Sequence, residues 1–299
     1  MFANLQHAPR FGNQEACLYQ LLEEGYCIAS DIVPTSTITA LNRDLDEQFA
    51  TTPFCEGGFY GSRTKRFGGL ARRSRYAASL IQHDLILNIA KAILGPWCDT
   101  IQLNLTQAVE LHPGELAQFP HRDQDMWWGE IGKIEYLINV MWPFTEYRRE
   151  NGATLIWPNS HGANSLVPEC HTSPIVAECD PGSAIVFLGS TLHGAGGNES
   201  SKVRRGMIVS YCLGWLKPYE NQWLVYPPDV ARHFDPELAS LIGYRQHRPN
   251  LNNYEGRCPS ILLSENVPDH LSAIDALRPH QEVAVTEYVR SQQKTRGQG

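Results

Sequence analysis

Five short apolar runs, each fenced by turn-forming residues, constrain this chain more than any other feature. They span residues 101–111, 136–142, 154–157, 183–188 and 206–216, and their separators include Pro113-Gly114, Asn151-Gly152, Pro158-Asn159-Ser160 and Asp180-Pro181-Gly182. Proline cannot extend a sheet ladder, and glycine and asparagine accept the left-handed backbone that tight turns need. Short strands with such punctuation favour an antiparallel sandwich or barrel. Before them the texture is helical. Residues 15–24 carry Cys17, Leu18, Leu21 and Leu22 at helical spacing and stop at Gly25, and a short strand is expected over 26–33 until Pro34 breaks it. Further helices are expected over 35–49 and 77–94, the second closed by Gly95-Pro96. Residues 57–75 read as a long loop rich in Gly, Arg and aromatics, 228–242 read as helical, and the polar tail beyond Arg290 reads as frayed.

Composition removes several classes of function. Of 299 residues, 25 are Lys or Arg and 32 are Asp or Glu, for a net charge of −7, which leaves no electrostatic footprint for a phosphate backbone. No nucleic-acid partner is expected. No run approaches the roughly 20 apolar residues of a membrane helix, and residues 1–10 lack a charged segment followed by an apolar stretch. The reading is therefore a soluble, cytoplasmic protein without a membrane partner. The eight cysteines, Cys170 among them, are scattered singly, so neither a zinc knuckle nor a disulfide framework is suggested.

Eleven histidines are present, and a few sit in a patterned context. In His121-Arg122-Asp123, just after a strand and a Pro-Gly turn, extended residues i and i+2 point to the same face and can reach one metal. His193 follows the run at 183–188. Two imidazoles and one carboxylate on one face of an octahedron suit non-haem Fe(II) and leave positions for a co-substrate and oxygen. A second His-x-Asp, His233-Phe234-Asp235, falls at a helix start, where i and i+2 diverge and cannot easily share a metal. Arg204 lies eleven residues after His193. A 2-oxo acid that chelates iron through its keto-acid end needs a cation for its far carboxylate, and a guanidinium fork binds a carboxylate bidentately.

The ordered set Gln118-x-x-His121-x-Asp123, Asn151-Gly152-Ala153-Thr154, Pro158-Asn159-Ser160-His161, Pro181-Gly182, His193-Gly194 with Asn198, and Arg204 resembles the phytanoyl-CoA dioxygenase family of Fe(II)- and 2-oxoglutarate-dependent oxygenases. The match covers about the central third of the chain. Beyond it, residues 226–231, 241–244 and Gly256-Arg257 are similar to bacterial and fungal members. The resemblance implies His121, Asp123 and His193 as the catalytic iron ligands and Arg204 as partner of the distal carboxylate of 2-oxoglutarate. It implies Thr154 as a hydroxyl donor to the co-substrate, Gln118 as an orienting amide, a wall contribution from Trp142, and a structural use of His161. Related halogenases have a small residue in place of the carboxylate, so Asp123 disfavours halogenation.

The implied fold is mainly β with helical additions, built on a double-stranded β-helix, the jelly-roll or cupin-like core. Residues 1–299 are read as one dioxygenase domain: a helical part over about 1–99, the core over about 100–217, and a helical and loop extension over about 218–299. The implied activity is oxidation of an unactivated C–H bond of a small organic substrate, with Fe(II) as metal, 2-oxoglutarate and O2 as co-substrates, and succinate and CO2 as products. A specialised metabolite is the expected substrate, an acyl-CoA or lipid the alternative, and a homodimer the assembly that the resemblance suggests. Rival readings are a non-catalytic jelly-roll metabolite binder and a metal-dependent isomerase or hydrolase on a cupin-like barrel; neither needs the triad and Arg204 together. Trp127, Trp128, Phe59, Tyr60 and Phe67 either wall an aromatic pocket or pack helices onto the barrel. Arg63, Lys65, Arg66, Arg72, Arg73 and Arg75 either favour an anionic substrate or form a solvated face.

Overall fold

The computed structural model describes residues 10–11, 13–167 and 173–296; Cys170 lies outside the described residues. The N-terminal helices are α1 (Gln14–Glu24), α2 (Thr35–Asp44), α3 (Asp46–Thr51), α4 (Arg75–Ile81) and α5 (Asp84–Leu94). The strands are β1 (Arg10–Phe11), β2 (Tyr26–Ala29), β3 (Thr64–Gly68), β4 (Ile101–Leu111), β5 (Leu137–Pro143), β6 (Thr154–Ile156), β7 (Ile175–Val176), β8 (Ala184–Leu188), β9 (His193–Ala195) and β10 (Arg204–Leu213). A seven-stranded sheet runs in the order β1-β2-β8-β5-β10-β4-β3, and a three-stranded sheet in the order β7-β6-β9. Apart from the parallel β1–β2 pair, the pairings between these strands are antiparallel. This is the jelly-roll expected from the sequence.

Alternation along the strands sorts side chains between two cores. On β10, Met207, Val209 and Tyr211 face outward into a large core with Ile138, Val140 and Trp142 of β5 and with Ile38, Leu41, Leu80, Ile86 and Ile89 from the helices. On the other face, Met141, Ile185 and Phe187 of the large sheet meet Ala153 and Ile156 beside the small sheet. Helix α5 shows why the first core forms: Ile86, Ile89, Ala90 and Ile93 lie on one stripe and are buried, each large side chain contributing about 1.5–3 kcal/mol. The helical part therefore covers the outside of the large sheet, and the inside is left for the site.

Glycine is required at the α1–β2 corner. Gly25 ends α1 at φ 85° with its N–H bonded to the Leu21 carbonyl, and an added Cβ would stand 2.6 Å from Thr191 Oγ1 and 2.7 Å from His161 Nδ1.

Several expectations are corrected. The helix expected over 35–49 is divided at buried Leu45, with Asp46 opening α3 and pairing with Arg205. The one expected over 77–94 breaks at His83, whose ring bonds the Ile32 carbonyl. The strand from 26 ends at Ala29. The helix expected over 228–242 is two, α7 (Pro228–Ala231) and α8 (Pro236–Ile242), after a short α6 (Gln222–Val225). The tail is not frayed over its described part: α9 (Pro279–Arg296) runs through it with no buried residue. The expected loop at 57–75 contains edge strand β3, paired with β4. No disulfide joins the described cysteines to one another, and no single described helix is long and apolar enough to cross a membrane.

Candidate metal centre and active site

The two histidines are locked by a mutual backbone pair: His121 N–H donates to the His193 carbonyl at 2.9 Å, and His193 N–H returns the bond at 3.0 Å. Arg122 between the two ligand candidates is extended and turns outward, its Nη1 donating to the Ser190 carbonyl. His121 and Asp123 therefore share one face, as the i, i+2 argument requires.

The tautomers follow from what each ring touches. His121 Nδ1 lies 2.9 Å from the Phe119 carbonyl and His193 Nδ1 3.1 Å from the Thr191 carbonyl. A carbonyl only accepts, so both Nδ1 atoms carry hydrogen, and in the neutral ring each Nε2 presents a lone pair. These face Asp123, at 3.4 Å from Oδ1 for His121 and 3.6 Å from Oδ2 for His193. One ligand atom from each of the three residues lies within 4.8 Å of the others. Three acceptors converging in this way repel one another unless a cation sits between them. The donor set fits Fe(II), with each ring oriented by a carbonyl behind it.

Electrostatics favours a neutral His193 and an ionised Asp123, and holds a proton more tightly on His121. Burial pushes the His193 pKa down against the pull of Asp123, which keeps its imidazole neutral and able to ligate. His121 is lowered by burial but raised more by its hydrogen bond and charge interaction with Asp123, and ends above the usual histidine value. Burial raises Asp123, yet the two histidines and Arg66 outweigh it and hold its carboxyl below the ordinary range.

A cavity of about 100 Å³ opens from the triad between the sheets, lined by residues of both, among them Gln118, Thr154 and Arg204. Arg204 is 2% exposed although it carries a full charge. Its Nη1 donates to the Gly152 carbonyl, its guanidinium lies 4.4 Å from the centre of the Tyr147 ring, and its Nε is buried without a hydrogen-bond partner. A buried cation with an unused donor beside a cavity is an anion site in waiting. Thr154 opens β6 opposite Ala195. Gln118 brackets Ala195 with its backbone N–H and its side-chain oxygen, two residues past His193.

Trp142 does not reach this cavity. It is the neighbour of Met141 on β5, so alternation turns it to the outer face, where it is fully buried beside His83. Trp127 donates to the Lys217 carbonyl and packs on Tyr136, and Trp128 is fully exposed. Phe67 packs against Phe49 in the helical core. Of the aromatic residues whose two readings were open, Phe59 and Tyr60 line the cavity. His161 bonds the Leu22 carbonyl, away from the triad, as expected of a structural histidine. Asp235 of the second His-x-Asp caps α8 by accepting from Glu237 and Leu238 N–H.

The basic stretch also resolves. Arg63, Lys65, Arg72 and Arg73 bond nearby carbonyl oxygens, and Arg75 is stacked on Tyr76. Arg66 alone of the six turns into the cavity, bonded to Gln107 at 3.0 Å with its Nε buried and unpartnered. The residue was visible only as one of a basic run; its place on an edge strand was the missing signal.

The phytanoyl-CoA dioxygenase family model matches residues 21–206, a span that contains the triad and Arg204. The chain belongs to the phytanoyl-CoA dioxygenase family. The dioxygenase aneA of Aspergillus aculeatus is 30% identical over 244 residues, covering 76% of this chain and 82% of the relative. The dioxygenase olcK of Penicillium canescens is 30% identical over 247 residues, covering 78% and 82%. The fold is shared with the non-haem α-ketoglutarate-dependent epimerase SnoN from nogalamycin biosynthesis (TM-score 0.57, 14% identity, 69% of this chain and 86% of that one). It is also shared with HygX from Streptomyces hygroscopicus, solved with nickel, 2-oxoglutarate and hygromycin B (TM-score 0.54, 14% identity, 69% and 89%). This family member is an iron- and 2-oxoglutarate-dependent dioxygenase that uses O2.

Proposed function

We propose that His121, Asp123 and His193 hold the iron of this dioxygenase, and that Arg204, with Thr154 and Gln118 beside it, receives 2-oxoglutarate. The observation that carries the assignment is the convergence of two carbonyl-fixed Nε2 lone pairs and one ionised carboxylate at the mouth of a cavity that also holds a buried guanidinium. Bound iron with 2-oxoglutarate and O2 supplies the oxidising chemistry, in which the oxo acid leaves as succinate and CO2 and a substrate C–H bond is oxidised. The chain does the rest. Phe119 and Thr191 carbonyls keep the two imidazoles in the ligating tautomer, Asp123 contributes negative charge, and Arg204 selects a diacid by pairing with its far carboxylate. Met141, Ile208 and Phe187 keep water from the cavity walls.

The substrate in this reading is a specialised metabolite, with an acyl-CoA or lipid as the alternative. Supporting it are the fungal dioxygenases at 30% identity and the shared fold of enzymes of antibiotic biosynthesis. Residues 1–299 act in it as one oxygenase domain, cytoplasmic and homodimeric, without nucleic acid or membrane as partner; the net charge of −7 supports the nucleic-acid part. Oxygen-dependent succinate release across a panel of terpenoids, polyketides, alkaloids and acyl-CoAs tests the reading. Stimulation by a metabolite class and not by acyl-CoAs is the expected result, and stimulation by acyl-CoAs alone would refute it.

A further inference from the structure

Two phenols meet across the cavity at the triad. Tyr60 OH and Tyr219 OH are 2.5 Å apart, on residues 159 positions apart in the chain. They differ in how they are held. Tyr219 follows β10 and is a fixed post: its N–H donates to Asn104 Oδ1 at 2.7 Å, and the next residue, Glu220, bonds the Asn104 carbonyl and takes N–H bonds from Gly69 and Thr106. Tyr60 sits on an arm. Gly57 and Gly58 precede it, with no atom within 4 Å of where a Cβ would be, and Gly61 follows at φ 88°. The arm lies over the metal ligands: the Phe59 ring stands edge-on to His121 at 4.8 Å, and the Tyr60 ring lies 5.1 Å from the Arg66 guanidinium.

The cavity is small for its task. Ligand pockets run to about 300–1,000 Å³, whereas the cavity at the triad measures about 100 Å³. That is room on the scale of the co-substrate, with little left for a second organic molecule. A further chamber of about 260 Å³ adjoins it and shares Phe59, Tyr60, Arg66 and Arg204 as lining, so the same arm bounds both spaces. Burial and the neighbouring Tyr60 push the Tyr219 phenol pKa up.

We propose that the Tyr60–Tyr219 hydrogen bond determines substrate specificity by setting the width of the entrance to the metal cavity: ligands of about one ring pass while it is made, and wider ring systems enter only when it breaks. The inference rests on the iron reading of the triad. One hydrogen bond opposes opening, which corresponds to about a two- to tenfold change in the rate of entry.

The test uses two iron chelators of graded width. The Fe(III)-loaded protein is mixed by stopped flow with catechol or with 2,3-dihydroxynaphthalene, and growth of the catecholate charge-transfer band reports access to the metal. In the wild type the two-ring chelator is expected to bind more slowly than the one-ring chelator. Tyr60→Phe and Tyr219→Phe each keep the ring and remove the bond, and each is expected to speed the two-ring chelator about two- to tenfold while leaving catechol within about twofold. The double variant should be no faster than either single one, because both remove the same bond. Equal wild-type rates for the two chelators, unchanged or equal acceleration of both in the variants, or additive acceleration in the double variant would each overturn the gate while leaving the metal site intact. A wild type that gives a band with neither chelator would instead overturn the iron reading.

Discussion

Replacing Arg204 by methionine removes the charge and the fork and keeps most of the stem. The guanidinium is almost fully buried, commits Nη1 to the Gly152 carbonyl and rests on the Tyr147 ring, while Nε has no partner in the protein. What it can offer a ligand is at least one charge-assisted hydrogen bond, worth about 1.5–3 kcal/mol. At 1.4 kcal/mol per decade, Arg204→Met weakens 2-oxoglutarate binding by about 10- to 150-fold. Loss of the donor to Gly152 costs about 1–2 kcal/mol of stability as well, which in a chain of this length lowers Tm by about 2–8 °C and leaves the protein folded at 25 °C. The assay is anaerobic titration of the iron-loaded protein with 2-oxoglutarate, followed by calorimetry, with iron content measured in parallel. Iron content is expected to stay unchanged. A Kd for 2-oxoglutarate within about twofold of the wild type would refute the role given to Arg204.

Other outcomes follow from the packing and the buried charges. Burial raises the Glu135 carboxyl above its usual value despite bonds from Ser190. A carboxyl raised in the folded state contributes its stability below the unfolded pKa of 4.5 and loses it as pH climbs through the folded value. Glu135→Gln does not titrate, so its stability relative to wild type should rise as pH climbs above 4.5 in urea melts, and a pH-independent difference would contradict this. Gly25→Ala forces a Cβ into the left-handed corner against Thr191 and His161 and should cost at least about 1–2 kcal/mol; a Tm equal to wild type would show that the corner relaxes freely.

Much of the barrel was legible because its strands obey local rules. The run at 101–111 has the bounds of β4, and those at 136–142, 154–157 and 183–188 differ by about one residue from β5, β6 and β8. Strand β3 escaped notice because it is an edge strand with a cation on each face. Lys65 turns outward to the Phe49 carbonyl and Arg66 inward to Gln107, so no apolar alternation marks it. The split helices escaped for another reason: Leu45 and His83 break them through tertiary contacts, with apolar spacing continuing across both breaks. At the site, His121 and Asp123 could be paired from backbone periodicity, but which wall each aromatic residue joins depends on sheet register. That is why the wall contribution expected of Trp142 fails and why Phe59 and Tyr60 could not be separated from Trp127, Trp128 and Phe67. Tyr219 carried no signal at all, since it meets Tyr60 only through the fold.

The most direct measurement of the central claim is the visible metal-to-ligand charge-transfer band of the Fe(II)–2-oxoglutarate chelate under anaerobic conditions. The wild type should show the band and bind one iron per chain, and His121→Ala and His193→Ala should abolish it, since each removes one of three converging ligand atoms. Retention of the band at full intensity in either variant would contradict the assignment of His121, Asp123 and His193 as the iron ligands.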